Sequence, residues 1–335
     1  MGHKKKNQQS RSLQQQAYDI LNRMLKEGEG RSKHADKAKG ITDSYIYSFS
    51  TYKSYIRHVR YFCVWMKQNH PEITTLKKAK VYIREWLEER ERSGKYSAYT
   101  LHLETAAIAK LYGIKPDDKN RYVPPTRHRE DIKRSRYRTE TDRHFSEGKN
   151  QTLVNFCKGT GLRRAGLTSI RPDCLFSSED MPSIIDNLLC KEKDSLSERE
   201  AALIECYNKI SIFKKIPNYY IFVCEKGGKW RLAPVLPRYE KEVVERISAT
   251  PAGQKVWLHV PKACDVHGYR AEYATELYKI YARDIDSIQN RKEIYVCRKN
   301  DLKGLKLDKK AMLVIERSLG HESQHTFAEA YAYRV

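Results

Sequence analysis

The chain has 335 residues, 64 of them Lys or Arg against 42 Asp or Glu, for a formal net charge of +22. A hydrophobic share of 40% excludes a basic disordered tail, and the length allows two ordinary domains. So large a positive excess points to a polyanionic partner, nucleic acid ahead of a membrane surface, since no apolar run is long enough to span a bilayer and no signal-peptide core is found near the start.

The first signal along the chain is "LQQQAYDILNRMLKE" at 13–27, which places Leu13, Ala17, Ile20, Leu21 and Met24 on one helical face. "EGEGRSKHADKAKG" breaks that pattern, so residues 1–40 read as a basic arm with one short helix. Residues 41–115 read as a helical block. Thr51 is a candidate cap for a helix carrying Tyr55, Ile56, Val59, Phe62, Cys63 and Met66 at helical spacing. Thr75 precedes a second, with Ala79, Ile83, Trp86 and Leu87 facing inward, and Gly113 closes a third.

Pro124 and Pro125 then stop regular structure, and 116–140 reads as a basic interdomain linker lying against a polyanion. Its Arg127, Arg129, Lys133, Arg134 and Arg136 are candidate nucleic-acid contacts. From 141 to 335 the pattern is again mainly helical. The clear β signal is "NYYIFVCEKGGKWRLAPVL", two apolar runs about Gly227 and Gly228 that predict a hairpin. One or two helices are expected before it, and a short strand at 294–297. The 8 cysteines form no CxxC pair, which argues against a zinc ribbon and for reduced core thiols in a cytoplasmic protein. No Asp/Glu cluster has metal-ligand spacing.

Four stretches carry groups suited to chemistry. In "GTGLRRAGL", Gly159 and Gly161 precede Arg163 and Arg164 at a helix start, where glycines would let a phosphate approach backbone N–H groups and an arginine adds a bidentate fork. Lys226 lies at the predicted hairpin turn, flanked on the return strand by Lys229 and Arg231, two further candidate DNA contacts. "HGYRAEYATELY" sets His267 and Arg270 one helical turn apart. "LGHESQHTFAEAYAYRV" joins His321 to Tyr331 and Tyr333 at the end of the sequence.

In this order the four stretches resemble the boxes of the tyrosine recombinase, or phage integrase, family over roughly residues 41–335. The resemblance implies a mainly α fold with a small β-sheet or hairpin. A helical, SAM-like core-binding domain at 41–115 and a mixed α/β catalytic domain at 141–335 would form a clamp around DNA. It implies that Arg163 and Arg270 clamp the scissile phosphate, Lys226 is the general acid, His267 and His321 assist, and Tyr331 attacks. It further implies no cofactor, no metal or ATP requirement, and action as a tetramer on paired duplex sites in the prokaryotic cytosol and nucleoid. An accessory excision factor or DNA-bending protein would assist. Type IB topoisomerase-like cleavage and an inert architectural DNA binder are the alternatives.

Two departures stand out. Where the family carries an acidic residue, this chain has Gly166. Its usual nine-residue offset from the last histidine falls on Ala330, with Tyr331 one residue later and Tyr333 three. The smaller shift favours Tyr331. The chemistry itself is sound: ionising a tyrosine at neutral pH costs about 4 kcal/mol, which cations beside the phosphate offset while they stabilise the transition state.

Overall fold

A computed structural model describes residues 11–128, 145–210, 217–225, 228–298, 302–321, 323, 325–332 and 335. The chain falls into two units, Met1–Asp131 and Ile132–Val335.

Hydroxyl side chains start the helices of the first unit. Ser12, Ser32, Ser48, Thr75 and Ser97 each accept the N–H three residues on, at the starts of α1 (Leu13–Gly28), α2 (Lys33–Ala38), α3 (Phe49–Asn69), α4 (Leu76–Ala79) and α6 (Ala98–Tyr112). Between them α5 spans Ile83–Arg92. Thr51, expected as a cap, instead donates its N–H to Ser48 Oγ at 3.2 Å, because Ser48 has the extended backbone a cap needs. Gly113 ends α6 in the left-handed region at φ 63°.

The helix expected in a basic arm joins this unit. α1 buries Leu13, Ala17 and Leu21 in one core with Val59, Phe62, Met66, Trp86 and Ile108. Its last residue, Gly28, lies against the backbone of Ile46, where a Cβ would come within 2.3 Å of the carbonyl oxygen. The apolar stripe is long enough to favour packing over solvation. A buried ion pair crosses the unit: Glu104 accepts Arg90 Nε at 2.6 Å and also Arg90 Nη2, with His58 Nδ1 at 3.3 Å.

The second unit contains α7 (Gln151–Thr160), α8 (Arg164–Ser169), β1 (Leu175–Ser177), α9 (Met181–Leu189) and α10 (Glu198–Ile210). The predicted hairpin follows as β2 (Tyr219–Glu225) and β3 (Lys229–Pro234). After it come α11 (Glu240–Ser248), α12 (Val266–Tyr281), β4 (Ile294–Val296), β5 (Lys306–Asp308), α13 (Lys309–Ser318) and α14 (His325–Ala330). The sheet order is β1-β2-β3, all antiparallel, and β4 pairs with β5. The fold is therefore mainly helical with small antiparallel sheets.

Both faces of the central sheet are covered, which is why its sequence reads as a continuous apolar run. Tyr220, Phe222 and Leu232 pack with α9 and α10 through Met181, Ile185, Leu203 and Cys206. Ile221 and Val223 point the other way, into a core shared with α7, α12 and α13. α12 lies against both α7 and α13 and is buried on most sides, carrying Tyr269, Arg270, Tyr273, Ala274 and Tyr278 inward. Among the described residues no helix is long and apolar enough to cross a membrane.

Candidate active site

The site begins where α7 stops. Gly161 ends that helix at φ 57°, and a Cβ on it would come within 2.3 Å of the Tyr273 ring. Gly159 likewise faces Tyr239, 2.7 Å from the place of its missing Cβ. The two glycines thus serve close packing and a left-handed helix end, which corrects the expectation that they open the backbone to a phosphate. The chain then extends through Arg163 into the short α8.

Arg163 is fixed at both ends by one carboxylate. Its backbone N–H donates to Glu225 Oε1 at 2.7 Å, and its Nη1 donates to Glu225 Oε2 at 2.7 Å. Glu225 is the last residue of β2, and its side chain points to the same face as Ile221 and Val223. Arg231 on β3 completes the grip, with Nε 3.0 Å from Oε2 and Nη2 3.4 Å from Oε1. Arg270 Nη1 lies 3.7 Å from Oε2. Three guanidiniums therefore meet one carboxylate.

Arg231 and Arg270 also tie together two helix ends. Arg231 Nη1 donates to Ser318 O at 2.6 Å, and Arg270 Nη2 donates to Leu319 O at 2.8 Å, both at the C-terminus of α13. Both arginines reach Gly161 O at the end of α7. Cations at these carbonyls oppose the negative ends of the helix dipoles. Arg270 Nε donates to Tyr331 Oη at 3.4 Å. Tyr331 follows α14, its N–H bonded to Phe327 O at 2.9 Å, and its ring stacks on His321 with centroids 5.7 Å apart. His321 Nδ1 is buried and has no hydrogen-bond partner among the described residues.

The charges shape one another. Burial alone would raise the Glu225 carboxyl, but Arg231, Arg270 and the Arg163 N–H bring it down to about 2. Burial, then the neighbouring Arg231, lowers Arg270 to about 10, so it keeps its charge at neutral pH. Burial, with the charges of Arg270, Arg163 and Arg231, pushes His321 down to about 3. His321 is therefore a neutral imidazole with an unengaged nitrogen beside a phenol.

Of the residues singled out in the sequence, Arg163, Arg270, His321 and Tyr331 come together here. His267 stands on the first turn of α12, exposed where Arg270 is buried. Arg231, expected to face DNA, is 1% exposed and committed to Glu225, so that expectation is corrected: its strand position turns it inward. Lys229 is exposed at the start of β3, and Arg127 is exposed with its guanidinium 5.5 Å from the Tyr99 ring centroid. Lys226, Arg129, Lys133, Arg134, Arg136 and Tyr333 lie outside the described residues. Sequence reading missed Glu225. The signal was its place two residues beyond Val223 and four beyond Ile221, on the inward face of an apolar strand.

Residues 45–116 match the family model described as phage integrase, N-terminal SAM-like domain. No curated protein sequence matches the chain. Among solved structures, the XerH site-specific recombinase bound to difH substrate in a pre-cleavage complex is 12% identical, with a TM-score of 0.42 covering 96% of this chain and 92% of that one. The Tn1549 transposon integrase in complex with circular intermediate DNA is 10% identical, with a TM-score of 0.38 covering 95% of each chain.

Proposed function

We propose that this chain, whose residues 45–116 match the phage integrase N-terminal SAM-like domain, is a site-specific tyrosine recombinase of a mobile element. In this reading it cleaves and rejoins duplex DNA for integration, excision or transposition. One observation carries the reading: Arg163, Arg231 and Arg270, from three separate stretches, converge on a single carboxylate with the Tyr331 hydroxyl on Arg270. Such a cluster has more positive charge than its own carboxylate can balance, and a phosphodiester supplies the missing anion.

The steps follow from the groups present. The phosphate reaches Arg163, whose side chain is 25% exposed, and engages Arg270 as Tyr331 moves off its Nε. The guanidiniums neutralise the phosphate, so that an attacking phenolate is no longer repelled, and they stabilise the added charge of the transition state. The bound phosphate also offsets the arginine charges that hold His321 basicity down, and His321, with Nδ1 unengaged, then accepts the phenolic proton. Tyr331 Oη bonds to phosphorus and the 5′-oxygen leaves. Lys226, next in sequence to Glu225, protonates it. His267, one helical turn from Arg270, assists at the phosphate. The 3′-phosphotyrosine conserves the bond energy, and a second strand's 5′-hydroxyl reverses the step without ATP.

Exposed Arg127 and Lys229, with the basic residues 129–136, would hold the duplex, and a tetramer would act on paired sites. The test is incubation with nicked suicide duplexes drawn from the DNA flanking the coding sequence. An SDS-resistant adduct on the peptide carrying Tyr331, found by mass spectrometry, is the expected result. Retarded DNA without adduct would mean an architectural binder. Relaxation of supercoiled plasmid at any sequence would mean topoisomerase-like action, and an adduct on Tyr333 would move the nucleophile.

A further inference from the structure

We infer that Glu225 is the positioning residue of the strand-cleavage site, and that position 166 is glycine because the Glu225 carboxylate occupies the volume where a side chain there would begin. The inference rests on the recombinase reading above and deepens it.

The geometry is specific. A Cβ on Gly166 would lie 2.8 Å from Glu225 Oε1, 3.6 Å from its Cδ and 3.5 Å from Leu162 Cδ2. The oxygen cannot simply yield. It accepts the Arg163 N–H at 2.7 Å and Arg231 Nη2 at 3.4 Å, while its sister oxygen holds Arg163 Nη1 and Arg231 Nε. Gly166 sits inside α8, where the backbone suits any residue and glycine weakens the helix. Conformational freedom therefore does not explain it; occupied space does.

Glu225 also has no apolar rationale. Ile221 and Val223 on the same strand face are core residues, and a charge at the next inward position is tolerated only when paired. Its pairing does more than neutralise it. One carboxylate fixes the main chain and the guanidinium of Arg163 together, so the phosphate-binding fork has a single orientation. The sequence box that contains Arg163 resembles one with its acidic residue at position 166; here the carboxylate reaches that place from another element.

The experiment measures single-turnover adduct formation and DNA affinity side by side, with folding checked by circular dichroism. Glu225→Gln should cleave about 10²-fold more slowly at unchanged DNA affinity, the signature of misplaced groups rather than lost binding. Gly166→Glu alone should also be slow, because two carboxyl groups then compete for one place. The double variant Gly166→Glu with Glu225→Ala should recover much of the lost rate. Wild-type cleavage by Glu225→Gln would overturn the positioning role, and a double variant no better than its parents would overturn the shared place. If Glu225→Gln does not fold, the double variant decides: folded and cleaving supports the inference, unfolded or inactive refutes it. If the wild type forms no adduct on any duplex, the recombinase reading falls separately. The spatial claim is then read from thermal unfolding: Gly166→Ala should lower the midpoint in the wild type and raise it beside Glu225→Ala, where alanine favours the helix and no carboxylate is in the way. Equal losses in both backgrounds would refute it.

Discussion

Glu104 and Glu225 are both buried glutamates gripped by arginine, and their surroundings are opposite in kind. Glu104 meets one arginine, Arg90, and one imidazole, His58, so the pair balances itself within a helical core. Glu225 meets Arg163, Arg231 and Arg270, and the balance is left strongly positive. A structural ion pair needs only mutual neutralisation. A cluster with surplus cation, beside a tyrosine hydroxyl and a neutral histidine, has charge left over for an outside anion, which the proposed recombinase reading supplies as a phosphodiester.

That contrast breaks first at Tyr331. Tyr331→Phe should remove the covalent adduct altogether while DNA retardation survives, because the ring still stacks on His321 and only the nucleophilic oxygen is gone. An adduct formed at normal rate by this variant would separate the cationic cluster from the chemistry assigned to it. Next, Arg163→Ala should slow adduct formation by about 10²–10³-fold, as loss of one preorganised donor does. The matching change in the first unit, Glu104→Gln, should act on stability instead. It strands the Arg90 charge and should cost about 3–5 kcal/mol in urea unfolding, with the cleavage rate of folded molecules unchanged. If Arg163→Ala lowers only stability, the two clusters are the same kind of thing and the contrast fails.

Much of this site was legible because arginines, histidine and tyrosine recur in boxes whose order is informative even when each alone is not. The helix ends were legible where one residue decides them, as at Thr75 and Gly113. Ser48 and Thr51 are chemically equivalent caps three residues apart, and only the extended backbone at Ser48 separates them. β1 is three residues long and exists through its pairing with β2, which no local periodicity encodes. Arg231 reads as a surface base because its charge suggests solvent while its inward face is fixed by register across the hairpin, where it pairs directly with Val223 and shares its face. Glu225 escaped for the same reason. The helix at 13–28 was legible as a helix, while its membership of the first core depends on α3, a partner far along the chain.

Acid should expose the second unit's cluster through two groups. His321 has a folded pKa of about 3, below its ordinary 6.5, so the unfolded chain takes up that proton first. Stability should therefore decline as pH falls from 6.5 toward 3. Glu225 is held at about 2 against an ordinary 4.5, so its contribution is complete above pH 4.5 and is lost as pH falls toward 2. Unfolding midpoints across this range, followed by near-ultraviolet circular dichroism, should slope downward with acid. His321→Gln should flatten the upper part of that slope. An unchanged slope in the variant would mean that the imidazole is not the group being titrated.

The smallest effect sets the two units side by side at matched positions. Gly113 ends α6 at φ 63° and Gly161 ends α7 at φ 57°, both left-handed caps. Around Gly113 a Cβ meets nothing within 4 Å, so Gly113→Ala should cost only the conformational penalty, about 1–2 kcal/mol. At Gly161 the same methyl group would press into the Tyr273 ring at 2.3 Å, and that ring is fully buried with its hydroxyl bonded to Pro234 O at 2.7 Å. The ring cannot retreat without breaking that bond, so Gly161→Ala should cost roughly 1–3 kcal/mol more than its counterpart. It should also slow cleavage, since Gly161 O is the acceptor shared by Arg231 and Arg270. Equal costs at the two glycines, with cleavage untouched, would mean that the end of α7 is an ordinary helix cap and not part of what holds the arginines in place.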